Sequence, residues 1–157
     1  MIEVKVANVA IDVNSKMPVV ILKERSGNKK LPIWIGLFEA QAIALALQDL
    51  KPPRPLTHDL TKSLIEKLKG KVEKVVISDL KNNTFYARIM MRKNGEVLNI
   101  DSRPSDAIAL ALRFKIPIYI DEGVLNKIAV GSKPIDDKEF KEFKKKLKDL
   151  KPEDFGL

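Results

Sequence analysis

Hydrophobic and polar positions follow the same order twice along this chain. Each half has three short apolar runs separated by turn residues, and then an apolar segment of helix length. The runs lie near residues 6–11, 18–22 and 31–35 in the first half, and near 72–77, 84–90 and 96–100 in the second. Runs of this length bounded by Asn, Gly and Ser are typical of β-strands joined by turns. The pattern predicts strand-strand-strand-helix in each half.

The strongest sign of duplication is the hexapeptide Ala-Ile-Ala-Leu-Ala-Leu, which occurs at 42–47 and again at 107–112. Both copies are apolar nearly all round, so a sheet, a second layer or a partner subunit must cover them. We therefore expect an α+β fold with a largely antiparallel sheet and buried repeat helices. The repeat units span approximately residues 4–50 and 70–115.

A middle helix is predicted between the two halves. Residues 51–56 contain three prolines and cannot be helical. Thr57 then caps an amphipathic helix that ends near Lys69, before Gly70. Its apolar stripe consists of Leu60, Leu64, Ile65 and Leu68.

Two more elements are predicted after the second repeat. The segment 116–120 is interpreted as an edge strand, because Pro117 cannot donate a hydrogen bond to a neighbouring strand. Asp136 or Asp137 begins a C-terminal helix that runs to about Leu150. That helix either docks on the body or packs against a second subunit. The organisation is then one domain over residues 1–131 and a Lys-rich helical tail over 132–157.

Composition removes several kinds of chemistry. The 157 residues include no Cys and a single His, His58. Cys-ligated zinc, iron–sulfur clusters, cysteine nucleophiles and two-His zinc motifs are therefore excluded. The absence of Cys and the presence of only two Gln lean weakly toward a heat-loving source.

Charge favours a polyanionic partner such as RNA or DNA. The net charge is +8, and the tail from Lys133 onward has 8 Lys against 7 acidic residues, so the body is the basic part. No apolar run approaches the roughly 18 residues of a membrane span. Because the amino terminus also lacks the features of a signal peptide, we expect a cytoplasmic protein without membrane partners.

Three polar clusters fall at predicted helix starts: 36–41, 54–59 and 101–106. Helix amino ends attract anions such as phosphate and keep nearby carboxylates ionised. A purely structural interpretation is also open, with Asp106 and Ser102 at a helix start, Glu39 complementing a helix dipole, and His58 at a surface boundary. Arg103 either pairs with Asp101 or binds phosphate.

The segments 31–44, 53–60 and 100–113 together resemble the bifunctional nuclease domain family, over roughly residues 1–130. The resemblance implies a compact, often self-associating α+β domain, with RNase and DNase activity in plant members. It marks as motif positions Glu39, His58, Asp59, Asp101, Ser102, Arg103, Ser105 and Asp106.

Two functional hypotheses follow. As a nuclease, the protein would bind phosphate through Arg103 and Arg54, with Ser102 and Ser105 as further substrate-binding residues. His58, oriented by Asp59, would be the general acid or base. Glu39, Asp101 and Asp106 would be catalytic carboxylates that could hold Mg²⁺ or another divalent cation. The alternative is a non-catalytic nucleic-acid-binding or homo-oligomeric assembly module, with a dimer favoured.

Overall fold

The computed structural model describes residues 1–131 and 147–149. The first half contains the strands β1 (Ile2–Asp12), β2 (Pro18–Glu24) and β3 (Lys30–Trp34), followed by the helix α1 (Leu37–Leu47). The helix α2 (Thr57–Lys67) comes next. The second half contains β4 (Lys71–Lys81), β5 (Thr84–Lys93) and β6 (Glu96–Ser102), followed by α3 (Pro104–Phe114). The chain continues through β7 (Ile118–Ile120), α4 (Glu122–Gly131) and β8 (Leu147–Asp149).

The predicted duplication is confirmed, because β1-β2-β3-α1 and β4-β5-β6-α3 repeat one order of elements. Each half forms an antiparallel three-stranded meander. The turn residues act as their types suggest: Asn82 and Asn83 between β4 and β5, and Asn94 and Gly95 between β5 and β6, all have positive φ. Asn and Gly adopt that conformation at the least steric cost, which favours tight hairpins.

One mixed sheet unites the two meanders in the order β3-β2-β1-β7-β4-β5-β6. β7 pairs antiparallel with β1 and parallel with β4, so it lies at the centre of the sheet. The prediction of an edge strand was therefore wrong. Pro117 is tolerated because it precedes the first residue of β7, and its carbonyl accepts a hydrogen bond from Val75 N at 3.2 Å.

The carboxyl-terminal prediction also needs correction. Residues 147–149 form β8, which pairs antiparallel with residues 10–12 of β1, so the predicted helix is wrong at that point. That helix was inferred from the spacing of apolar residues. This spacing carries no information about backbone pairing with a strand distant in sequence. The remainder of the predicted helix lies outside the described residues. The sequence analysis also missed α4, whose Val124 is buried in the core.

The two repeat helices are buried within this chain. In α1 the buried residues are Ala40 and residues 42–45, and in α3 residues 107–111 are all buried. Both helices contribute to one core, which they share with residues of β1 to β5 and of β7. The expected cover for these helices is thus supplied by the sheet and by each other.

The middle helix turns most of its apolar stripe outward, and only Ile65 of that stripe is partly buried against the core. No residue of α2 is buried, and Leu60, Leu64 and Leu68 are 53%, 53% and 63% exposed. Its polar side chains His58 and Lys62 contact α3 instead. Among the described residues, no helix combines the length and apolar character that a membrane crossing requires.

Candidate functional site

Three helices begin close together, and each has a carboxylate at its third residue. These are Glu39 in α1, Asp59 in α2 and Asp106 in α3. Acidic residues are favoured in the first turn of a helix because unpaired N–H groups give that end partial positive charge. What distinguishes this molecule is that all three carboxylates accept hydrogen bonds from cationic or imidazole side chains of another helix.

Arg103, the residue before α3, joins two of these carboxylates. Its Nη1 donates to Glu39 Oε1 at 3.0 Å, and its Nε donates to Asp106 Oδ2 at 2.8 Å. The alternative partner, Asp101, is not used. Since β3 and β6 are the opposite ends of the strand order and lead into α1 and α3, this arginine connects the two halves of the repeat.

His58 continues the chain of contacts from α2. Its Nε2 lies 2.8 Å from Asp106 Oδ1, and the side chain is 13% exposed. The order of contacts is therefore Glu39–Arg103–Asp106–His58. The ring nitrogen Nδ1 has no hydrogen-bond partner in the described part of the chain. Pairing of Nε2 with a carboxylate favours the tautomer in which Nδ1 carries the free lone pair.

The electrostatics keep Asp106 ionised. Burial by itself would raise the pKa of its carboxyl group, but hydrogen bonds from Arg103 and His58 outweigh burial and lower the pKa below its usual value. The same contacts raise the pKa of Arg103, chiefly through the hydrogen bond to Asp106. The ionised Asp106 can therefore stabilise a positive charge on the His58 ring.

Asp59 has a different partner from the one predicted. Its Oδ1 accepts a hydrogen bond from Arg113 Nε at 2.8 Å, and its Oδ2 accepts one from Leu56 N at 3.0 Å. Burial alone would raise the pKa of Asp59. These hydrogen bonds lower that pKa by a larger amount, so it lies below its usual value. Asp106 rather than Asp59 orients His58. Leu56, not Thr57, occupies the cap position of α2, so that prediction was wrong too.

An open cleft of about 530 Å³ exposes this network to solvent. Its walls come from the starts of the three helices and from the proline-rich segment before α2. The lining residues are Phe38, Glu39, Gln41, Ala42, Pro55, Leu56, Thr57, His58, Arg103 and Asp106. Four predicted site residues, Glu39, His58, Arg103 and Asp106, thus share one cleft.

The other predicted residues lie outside this network. Asp101 is exposed on β6 opposite Arg88 of β5. Arg54 is exposed in the loop before α2 and does not line the cleft. Ser102 donates its hydroxyl proton to Arg103 O at 2.9 Å and caps no helix. Ser105 is only 6% exposed, which leaves its side chain little room to contact a substrate.

The predicted metal ligands are not assembled in this structure. Within residues 1–131 and 147–149, no group of three or more His, Asp or Glu side chains is arranged to hold a metal ion. Arg103 contacts both Glu39 and Asp106, so a guanidinium group already provides the positive charge between those two carboxylates. These residues do not fit a divalent cation as they stand, and no catalytic step is derived through one.

Three residues of the site were not among the predicted ones. Arg113 holds Asp59, and its position seven residues after Asp106 places both on one face of α3. That spacing was a usable signal. Phe38 and Gln41 line the cleft and lie within the polar cluster 36–41, from which only Glu39 was taken as a site residue.

Comparisons with known proteins show which family this chain belongs to. A family model described as the bifunctional nuclease domain matches residues 20–133. An uncharacterized protein of Mycobacterium tuberculosis strain H37Rv is 39% identical over 162 residues, which cover 98% of this chain and 97% of that protein. Bifunctional nuclease 1 of Oryza sativa subsp. japonica is 29% identical and Bifunctional nuclease 1 of Arabidopsis thaliana 28% identical, each over 109 residues. Those alignments cover 67% of this chain, but only 33% and 34% of the plant proteins.

Proposed function

Because this chain belongs to the bifunctional nuclease domain family, we propose that it cleaves phosphodiester bonds of RNA or DNA in the cleft at the three helix starts. The observation that carries the proposal is the Glu39–Arg103–Asp106–His58 chain of contacts on the wall of that cleft. A cation, a carboxylate and an imidazole thus line the same cleft, which supports the proposal.

In this proposal Arg103 binds the phosphate that is attacked. Its side chain is 64% exposed, so part of the guanidinium group faces solvent while two of its nitrogens contact Glu39 and Asp106. A guanidinium group suits phosphate oxygens in geometry and charge. Glu39 and Asp106 hold it in place and thereby limit the conformational entropy lost when phosphate binds.

His58 acts as the general base through Nδ1. It takes a proton from the nucleophile, which is the 2′-hydroxyl in RNA or a water molecule in DNA. The nucleophile's oxygen forms a bond to phosphorus, the bond from phosphorus to the leaving oxygen breaks, and the leaving oxygen takes its proton from solvent. Asp106 accepts the Nε2–H hydrogen bond throughout and stabilises the imidazolium ion that forms.

A cleavage assay on labelled single-stranded RNA and DNA tests the proposal, with Mg²⁺, Mn²⁺ and EDTA added in separate reactions. We expect wild-type cleavage and a loss of about 100- to 10,000-fold in His58→Gln. Arg88→Gln, an exposed arginine on β5, is the matched control that should retain activity. Equal cleavage by wild type and His58→Gln would overturn the proposal, because it would indicate a contaminating nuclease.

The second candidate is nucleic-acid binding without cleavage, which the net charge of +8 favours. Binding dominated by phosphate contacts weakens steeply as salt rises. If no strand is cut and the logarithm of the binding constant falls linearly with the logarithm of salt concentration, the binding module is the correct interpretation.

We also propose that a second copy of the chain covers the exposed leucine stripe of α2. Leu60, Leu64 and Leu68 recur every four residues and are 53–63% exposed. Rows with this spacing pack against each other at about −50° in helix pairs. A two-fold axis perpendicular to the helix would pair the stripe with itself and set the helix dipoles roughly antiparallel. The polar residues of α2 already contact α3, so the leucines are the face left for a partner.

Sedimentation equilibrium tests this interface. We expect a dimer for wild type and a monomer for Leu64→Glu, since a charge at the centre of an apolar contact is poorly solvated. Ser63→Glu places the same charge on an exposed neighbouring residue beside the stripe and should leave the dimer intact. A wild-type monomer, or equal effects of the two substitutions, would contradict the proposal.

A further inference from the structure

Phe38, the second residue of α1, is unusually exposed for an aromatic side chain. At 78% exposure it exceeds every other large apolar side chain in the described part of the chain; Leu68 follows at 63%. Leaving a ring of this size in water forgoes the stabilisation that its burial would give. Phe38 lines the same cleft as His58 and Arg103, so an exposed ring stands beside the charged network.

The cleft has an apolar part on the side of α2 as well. Pro55 and Leu56 line it there and are both exposed, Leu56 by 37%. The charged groups are Glu39, Arg103 and Asp106. One cleft therefore combines flat or aliphatic apolar surface with a cation suited to phosphate, the two chemical characters of a nucleotide unit.

The volume of the cleft and one of its polar side chains also suit a nucleotide unit. A volume of about 530 Å³ lies within the roughly 300–1,000 Å³ of small-molecule sites. Gln41, two residues after Glu39, lines the cleft and is half-buried. Its amide offers both a donor and an acceptor to the edge of a base.

We propose that Phe38 stacks on an unpaired base of the strand whose phosphate Arg103 binds, which makes single-stranded nucleic acid the substrate class. The inference rests on the proposed function and adds the base to it. A ring stacks on any of the bases, so recognition is tolerant of sequence. A base inside a duplex would first have to leave the helical stack, which costs free energy. Single strands should therefore bind in preference to duplexes of the same length.

The test compares a single-stranded oligodeoxynucleotide with an abasic strand of equal length and charge. Binding is measured by fluorescence anisotropy in a His58→Gln background so that strands stay intact, and cleavage is measured in the native background. Phe38→Ala should weaken binding of the base-bearing strand about tenfold and leave the abasic strand unaffected. Leu37→Ala, which removes a 48% exposed apolar side chain that does not line the cleft, is the matched control.

A spectroscopic readout separates stacking from a general loss of affinity. Phe38→Trp should retain affinity, and its fluorescence should be quenched by the base-bearing strand but not by the abasic strand. Leu37→Trp should show no quenching beyond that of wild type, which already contains Trp34.

The outcomes distinguish this inference from the proposed nuclease function. If the native background cleaves strands but Phe38→Ala weakens base-bearing and abasic binding equally, or neither, stacking is overturned and the nuclease stands. Tight binding of the abasic strand by wild type also overturns stacking. If binding depends on the base but no strand is cut, the base site stands and the catalytic proposal falls. No binding of either strand overturns both.

Discussion

Two arginine–carboxylate clusters bind the first-turn carboxylates of the three helices, and they differ in exposure to solvent. Arg113 is 9% exposed and holds Asp59, while Arg103 is 64% exposed and holds Glu39 and Asp106. Exposed ion pairs contribute little to stability, whereas removing one partner of a buried pair is costly. The difference assigns them separate duties: the buried arginine fixes α2 on α3, and the exposed arginine is available to a ligand.

The buried cluster also prepares the exposed one. Arg113 Nε donates to Asp59 and Lys62 Nζ donates to Arg113 O, so two contacts at Arg113 link α2 to α3, and Arg113 Nη1 also donates to Ala109 O within α3. Asp59 is the neighbour of His58 in sequence. Holding Asp59 therefore limits where the imidazole can move, and Arg113 is a positioning residue in this sense.

Between the two arginines, the larger effect is expected from Arg103→Ala, which should separate activity from stability. Loss of a charge-stabilising donor at a reacting centre typically lowers kcat by about 100- to 1,000-fold. The free energy of unfolding should change by less than about 1 kcal/mol, because the side chain is exposed. Kinetics on an RNA substrate and urea unfolding measure the two. A stability loss as large as that of an Arg113 variant would erase the proposed distinction.

The next effect is expected from Arg113→Met, which keeps the apolar length of the side chain but removes its charge. Asp59 would lose its cation, and we expect destabilisation of about 2–3 kcal/mol, somewhat below a fully buried pair because Asp59 is 31% exposed. Urea unfolding measures it. Arg92→Met, which breaks an exposed pair with Glu73, is the matched control and should cost much less. Equal effects would show that burial does not set the difference.

The same contrast explains what the sequence could predict. The duplication, and the position of Glu39 and of the 101–106 segment at helix starts, followed from local patterns repeated in both halves. The partner of each carboxylate could not be predicted in this way. Asp59 and Asp106 are both third residues of helices, and only the packing of α2 on α3 pairs Asp59 with Arg113 and Asp106 with His58. Periodicity gave α2 an apolar stripe, but it could not tell that the polar face packs inward.

The predictions of a helix at residues 147–149 and of an edge position for β7 failed for a related reason. Both predictions used local residue preferences, and both were overridden by pairing with distant strands, β8 with the end of β1 and β7 between β1 and β4. Backbone hydrogen bonds to remote segments leave little trace in a single sequence.

The smallest effect is expected when the pH is lowered. The loss of unfolding free energy in acid tests whether both clusters stabilise the fold as ion pairs. The pKa values of Asp59 and Asp106 are lowered in the folded protein, so the folded state binds fewer protons than the unfolded state. Their stabilisation is then complete above the unfolded pKa of about 3.9 and is lost as the pH falls through the folded values.

Unfolding free energies at intervals from pH 6 to pH 3 measure this loss. Asp59→Asn and Asp106→Asn should each flatten the fall between pH 4 and 3, and Asp59→Asn should cost more at pH 6 because its partner is the buried arginine. Asp79 also has a lowered pKa, through hydrogen bonds from Lys127 and Lys81, so Asp79→Asn serves as the reference for a carboxylate outside both clusters. Should Asp59→Asn and Asp106→Asn keep the wild-type slope while Asp79→Asn removes it, the acid dependence would belong to Asp79. In that case the two clusters would differ in exposure to solvent, but they would not differ in their contribution to the free energy of unfolding.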